Sequence, residues 1–174
     1  DIPVDTIFIG GGTPSVPESR LIVDLMEHVN RAFQISDGAE ISMEANPGTV
    51  TREKLKEYQR AGINRISFGL QSANDRELKL LGRIHTWAEF LESFALAREC
   101  GFTNLNIDLM SALPGQTCES WKDTLKRVTD LEPEHISAYS LIIEEGTPFG
   151  EKYGSEEGRK LLPDEDSERE MYHE

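Results

Sequence analysis

Two cysteines, Cys100 and Cys118, are too few for a disulfide framework. They are also badly spaced for a metal site, whose neighbouring ligands sit about two to four residues apart. That scarcity fits a reduced, cytoplasmic setting. Long apolar runs are missing as well, so no transmembrane segment is expected, and nothing near the start reads as a signal peptide. Lys and Arg never gather into a stripe, and the formal net charge is −14. A nucleic-acid partner needs a positive footprint, so that class is disfavoured. The chain opens at Asp1 without an initiator methionine and reads as a fragment or a processed form. Its 174 residues suffice for one domain with a sizeable core.

What is present is a regular alternation. Short β-rich runs occur at "TIFIG" (6–10), "EISME" (40–44), "RISFGLQ" (65–71), "LNIDLM" (105–110) and "HISAYSL" (135–141). Amphipathic stretches separate them. The stretch 15–33 starts with Ser15 and Glu18, a capping-box spacing, and carries Leu21, Leu25, Met26 and Val29 as its expected apolar stripe. "TREKLKEYQRAG" stops at Gly62, and "TWAEFLESFALARECG" runs from a second capping box, Thr86 and Glu89, to Gly101. "CESWKDTLKRVTDLEP" runs into Pro133. Strand and helix alternating without hairpin turns predict an α/β fold with a parallel sheet and crossover helices. The alternation does not decide between a barrel and an open, doubly wound sheet. Residues 151–174 hold nine acids against four Lys and Arg, and read as a solvated or frayed acidic tail after a core over 1–150.

The strand ends carry the chemistry. The first run ends on Gly10, Gly11 and Gly12 followed by Thr13, the second on Glu44 and the third on Gln71, while Asp108 interrupts the fourth. In a parallel α/β fold these ends share the edge where ligands bind. A carboxylate crowded by Leu105, Ile107, Leu109 and Met110, as Asp108 is, needs hydrogen-bond donors from ligand or protein. Taken singly each residue has a plainer explanation: a solvated acid at Glu44, a helix cap at Gln71 and Ser72, a tight turn at the glycines. Arg83, in the segment before the next helix, has a guanidinium fork suited to a carboxylate or phosphate, though a surface arginine would look the same. "GGGTPS" is not the G-x-G-x-x-G of a dinucleotide site, Pro14 stands where a phosphate-binding helix would open, and no P-loop lysine follows. Acids for hydroxyls or an amine, an arginine for a carboxylate and bare backbone suit a ligand with an amino-acid end and a ribose. The histidines lack ligand spacing, and no metal is expected on these residues.

Six ordered blocks add a resemblance. "TIFIGGGTPS", "SMEANPGT", "GINRISFGLQS", "LGRIHT", "NIDLMSALPGQT" and "PEHISAYSLIIEEGTPF" resemble the radical S-adenosylmethionine family related to oxygen-independent coproporphyrinogen III oxidase. "EANPGT", "LGRIHT" and "PEHIS" look more like its heme chaperone (HemW-like) branch. The resemblance implies a partial (β/α)6 TIM-like barrel, here truncated at the first strand. It implies that Gly10, Gly11, Gly12 and Thr13 lie along the methionyl end of S-adenosyl-L-methionine. Glu44, Gln71 and Asp108 would bond its amine and ribose hydroxyls, Arg83 its carboxylate, and Ile142 would pack on the adenine. The family's other cofactor is a 4Fe-4S cluster held by a CxxxCxxC loop, and that motif is absent here. The expectation is therefore that these residues neither hold the cluster nor perform radical chemistry themselves. Three functions stay open: a heme chaperone with heme or porphyrin and heme-acceptor proteins as partners, a coproporphyrinogen decarboxylase, and a plain α/β binding domain.

Overall fold

The structure, a computed structural model, describes residues 2–174. Its elements follow the alternation: β1 (Val4–Ile9), α1 (Ser19–Ala32), β2 (Ile35–Ala45), α2 (Arg52–Arg60), β3 (Arg65–Gln71), α3 (Asp75–Leu80), α4 (Trp87–Glu99), β4 (Leu105–Ser111), α5 (Cys118–Thr129) and β5 (His135–Ser140). Three short helices close the chain: α6 (Pro148–Tyr153), α7 (Glu156–Arg159) and α8 (Glu165–His173). The strands form one sheet in the order β1-β2-β3-β4-β5, with β1 parallel to β2 and β2 parallel to β3. A doubly wound sheet reverses its strand order at a switch point; a sheet that never reverses is the barrel type. The alternative left open by the sequence is settled by that order.

Contacts divide the chain into two compact units. One comprises the residues up to Leu70, His85–Asp108 and Pro133–Ile136; the other comprises Gln71–Ile84, Leu109–Glu132 and Ser137–Glu174.

In the first unit, strand alternation sorts side chains onto two faces. Ile41, Met43, Ala45, Ile66, Phe68, Leu105 and Ile107 occupy one face and are buried. Phe68 meets Phe90 edge-on at 6.1 Å and Phe94 at 6.4 Å, so α4 docks by its aromatic side. The capping box of α4 forms as expected: Thr86 accepts from the Glu89 N–H, and Glu89 accepts from the Thr86 N–H. The opposite face carries Glu40, Ser42, Glu44, Arg65, Ser67, Asn106 and Asp108 at the intervening positions.

In the second unit Leu109, Leu113, Leu78, Val128 and Trp121 are buried. The acidic segment is folded rather than frayed. Met171 of α8 is buried, its carbonyl accepts the Trp121 indole N–H at 2.8 Å, and Lys122 pairs with Glu170 and Glu174. A charge count sees the acids and misses one apolar anchor among them.

Two readings of α1 also change. Ser15 caps nothing: α1 begins at Ser19, its N-cap is Glu18, and the Ser15 hydroxyl bonds Thr49 instead. The buried row of α1 is Ile22 and Met26, while Leu21 and Leu25 are 53% and 44% exposed. Met26 is buried as expected, but Ile22, one turn before it, takes the contact expected of Leu21 and Leu25. Strand β2 starts at Ile35, five residues before the expected run. A register shift against β1 and the left-handed Gly38 interrupt the pattern that the sequence reading follows.

Candidate functional site

The three glycines leave β1 at the carboxyl end of the strand. A Cβ on Gly10 would stand 2.7 Å from Phe8 Cε1 and 3.1 Å from the Glu44 carboxyl carbon, so no larger residue fits without displacing one of them. Gly11 and Gly12 take φ of +88° and +62°, a backbone that L side chains rarely adopt. This turn aims the Gly11 N–H at Glu44 Oε2, 3.1 Å away. Glu44 is half-buried near the end of β2, and its Oε1 accepts from no described residue. A charge-bearing oxygen thus stands beside a bared backbone, which is the arrangement an ammonium-bearing ligand uses.

A second layer fixes that loop. Asn46 Nδ2 donates to Thr13 Oγ1 at 3.1 Å, the Asn46 N–H donates to Ser15 Oγ, and Ser15 Oγ lies 2.6 Å from Thr49 Oγ1. The Lys54 ammonium donates to the carbonyls of Ser15, Val16 and Thr49 at 2.7, 3.1 and 3.3 Å. The block "EANPGT" therefore has a physical role here. Its amide and hydroxyl, with a lysine from α2, clamp the turn that presents Gly10 to Thr13.

Asp108, half-buried on β4, receives its donors from the protein. Ser67 Oγ donates to its Oδ2 at 3.0 Å, and Asn106 Nδ2 donates to its Oδ1 at 2.7 Å. Asn106 Nδ2 also reaches Ser67 Oγ at 2.7 Å, and Asn106 Oδ1 faces His135 Nδ1. Beside this group Glu134 takes both guanidinium nitrogens of Arg98, at 2.8 and 3.0 Å, and the Leu105 N–H at 2.8 Å. Burial raises the Glu134 carboxyl, but the Arg98 and Leu105 hydrogen bonds outweigh it and hold the group below its ordinary value. Ser67, Asn106 and His135 escaped the sequence reading, which looked at strand ends. The signal was available: Ser67 lies four residues before Gln71, and Asn106 two before Asp108, on the same strand faces.

In the second unit Gln71 ends β3 with φ +76°, buried, and its Oε1 accepts from the Tyr139 hydroxyl at 2.8 Å. A non-glycine residue held left-handed is strained and needs over-determination by its surroundings. The adjoining turn supplies it. The buried Glu77 accepts from Ser72 Oγ at 2.6 Å, Gln116 Nε2 at 2.9 Å and the Ser120 hydroxyl, while Arg127 donates to the Ala73 carbonyl. Arg83 is half-buried and makes no ion pair among the described residues. Ile142 is 77% exposed.

The residues thus fall into two groups. Gly10, Gly11, Thr13, Glu44 and Asp108 lie in the first unit, with the glycines and Glu44 in contact; Gln71, Arg83 and Ile142 lie in the second. The glycine cradle and the half-satisfied Glu44 fit an S-adenosylmethionine end. A 4Fe-4S cluster does not fit these residues, because two thiols, Cys100 just after α4 and Cys118 at the start of α5, cannot supply three thiolates.

A sequentially ordered parallel sheet with helices between its strands defines an α/β barrel-type protein. Residues 1–128 match the Radical SAM superfamily, and the chain belongs to it. It is 43% identical over 96% of its length to the heme chaperone HemW of Bacillus subtilis (strain 168), covering 44% of that protein. To the HemW of Escherichia coli (strain K12) it is also 43% identical, over 94% of this chain and 42% of the relative. Among solved structures it is similar to the E. coli coproporphyrinogen III oxidase HemN, described as a radical SAM enzyme. There the TM-score is 0.82 at 32% identity, over 98% of this chain and 38% of that one. The partial TIM-like barrel expected from the sequence is the fold found. The chain spans less than half the length of these relatives. No described helix is long and apolar enough to cross a membrane.

Proposed function

We propose that this chain is the S-adenosylmethionine-binding part of a heme chaperone. The carrying observation is the cradle at Gly10 to Gly12, where a left-handed glycine turn meets a Glu44 carboxylate with one oxygen uncommitted among the described residues. The superfamily supplies the cofactor class, and the two HemW relatives supply the heme reading. Gly10 to Thr13 and Glu44 would take the aminoacyl end, and Asp108 a ribose hydroxyl. Gln71, Arg83 and Ile142 are assigned on the motif resemblance, with the unpaired guanidinium of Arg83 suited to a carboxylate. A 4Fe-4S cluster would supply the electron for the superfamily's chemistry and would need thiolates other than Cys100 and Cys118; residues 1–150 would form the barrel core. Heme, heme-acceptor proteins and a cytoplasmic setting belong to the same reading.

The likeness to HemN favours a second reading, oxidative decarboxylation of coproporphyrinogen III. One experiment separates them. The protein carrying this chain is reconstituted anaerobically with iron and sulfide, then given coproporphyrinogen III, S-adenosylmethionine and a reductant, and in parallel heme alone. Heme retention seen by absorption, without protoporphyrin by chromatography, is the expected result. Protoporphyrin formation would replace the chaperone with the oxidase.

A further inference from the structure

The polar face of the first unit holds a hydrogen-bonded chain whose direction can be worked out. It runs from His135 at the start of β5, through Asn106 and Ser67, to Asp108. A carboxylate accepts and cannot donate, so the atom of Asn106 lying 2.7 Å from Asp108 Oδ1 must be the amide nitrogen. The same nitrogen serves Ser67 Oγ at 2.7 Å, which leaves the Ser67 proton for Asp108 Oδ2 at 3.0 Å. The reverse orientation of the amide would set its oxygen against the carboxylate with no hydrogen between them. Asn106 Oδ1 is therefore committed to the His135 side, and His135 Nδ1 must carry a proton to meet it.

Asn106 is 1% exposed, so an unsatisfied amide there would cost the full price of desolvation. His135 is exposed instead, and it lines a cavity of about 540 Å³ with Glu40, Arg65 and Glu134. It can be replaced without opening the core. The neighbouring Glu134 clamp on Arg98 and the Leu105 N–H holds the start of β4, so the backbone under Asn106 is anchored from the same side.

We propose that Asn106 is a positioning residue for the Asp108 carboxylate, and that His135 sets the orientation of the Asn106 amide through its Nδ1 proton. The inference rests on the reading of Asp108 as an S-adenosylmethionine contact. Its consequence is that the Asp108 side chain is already fixed when the ligand arrives, both oxygens carrying a donor. No rotamer then has to be frozen when the ligand binds.

The test uses the protein carrying this chain, with S-adenosylmethionine titrated by calorimetry and the imidazole nitrogens of His135 read by 15N NMR. Asn106→Leu is expected to weaken binding roughly ten- to a hundred-fold, the loss of one charge-assisted hydrogen bond. His135→Leu weakens it less, and His135→Asn, whose Nδ2 stands where Nδ1 did and keeps an N–H for Asn106 Oδ1, restores it; a role in packing alone would not separate these two. Without ligand, neutral His135 shows the Nδ1–H tautomer, and Asn106→Leu releases it toward Nε2–H. Unchanged affinity in Asn106→Leu overturns the proposal, as does an Nε2–H tautomer in the unaltered protein. If the unaltered protein binds no S-adenosylmethionine, the cofactor reading fails instead, and the tautomer decides the direction of the chain by itself.

Discussion

Ser67 and Phe68 are neighbours in sequence and sit on opposite faces of β3, under opposite rules. Phe68 is fully buried against the rings of Phe90 and Phe94, and its face of the sheet is apolar throughout. Ser67 faces a surface of carboxylates, amides, hydroxyls and an arginine, where Arg65 bonds Ser42, and Ser67 and Asn106 bond Asp108. Hydrophobic burial explains the first face entirely. It gives no reason for the second, since an apolar lining would be cheaper than a polar network that must be satisfied atom by atom. Under the proposed reading the polar face is what function requires of the sheet, and the apolar face is what stability requires.

The largest expected effect breaks the apolar side. Phe68→Ala should lower unfolding free energy by about 3–5 kcal/mol, since it deletes a buried ring and leaves a cavity. Ser67→Ala, one residue away, should cost less, about 1–3 kcal/mol, because it leaves an Asn106 amide hydrogen and an Asp108 oxygen without their partner. Denaturant unfolding of the pair measures the contrast. Equal losses would mean that the network carries as much of the stability as the core, and the division of labour would be wrong.

A smaller effect sharpens the comparison through pH. The Glu134 carboxyl lies below its ordinary value of 4.5 in the folded chain. A depressed carboxylate contributes stability that is present above its unfolded value and is lost as pH falls through its folded value. Unfolding midpoints between neutral pH and pH 3 should therefore fall less steeply in Glu134→Gln than in the unaltered chain. The side chain is 41% exposed, so solvent screens the pair and the difference in slope is small. Identical slopes would show that the Arg98 clamp contributes nothing to holding β4.

Much of this division was legible beforehand. The strand runs 65–71, 105–110 and 135–141 fall within a residue or so of β3, β4 and β5, because β-branched and apolar residues alternate there between clear turn signals. Glycines, Glu44 and Asp108 stood out because a buried strand end has no use for them. The clamp on the glycine loop did not. Ser15, Asn46, Thr49 and Lys54 look like ordinary cap, turn and surface residues, and their roles exist only through contacts spanning some thirty or more positions. The exposed Leu21 and Leu25 misled for a related reason. A helical stripe shows which residues could be buried, and the neighbouring elements decide which are.

The central claim is that bared backbone at Gly10 and the uncommitted oxygen of Glu44 form a seat for S-adenosylmethionine. Calorimetric titration of S-adenosylmethionine into the protein carrying this chain, beside Glu44→Gln, tests it most directly. Glu44→Gln keeps the shape and an acceptor oxygen but removes the charge, so it should weaken binding roughly ten-fold or more while leaving the unfolding midpoint nearly unchanged. Equal affinity in both proteins would contradict the account, and the glycines would then be a turn and nothing more.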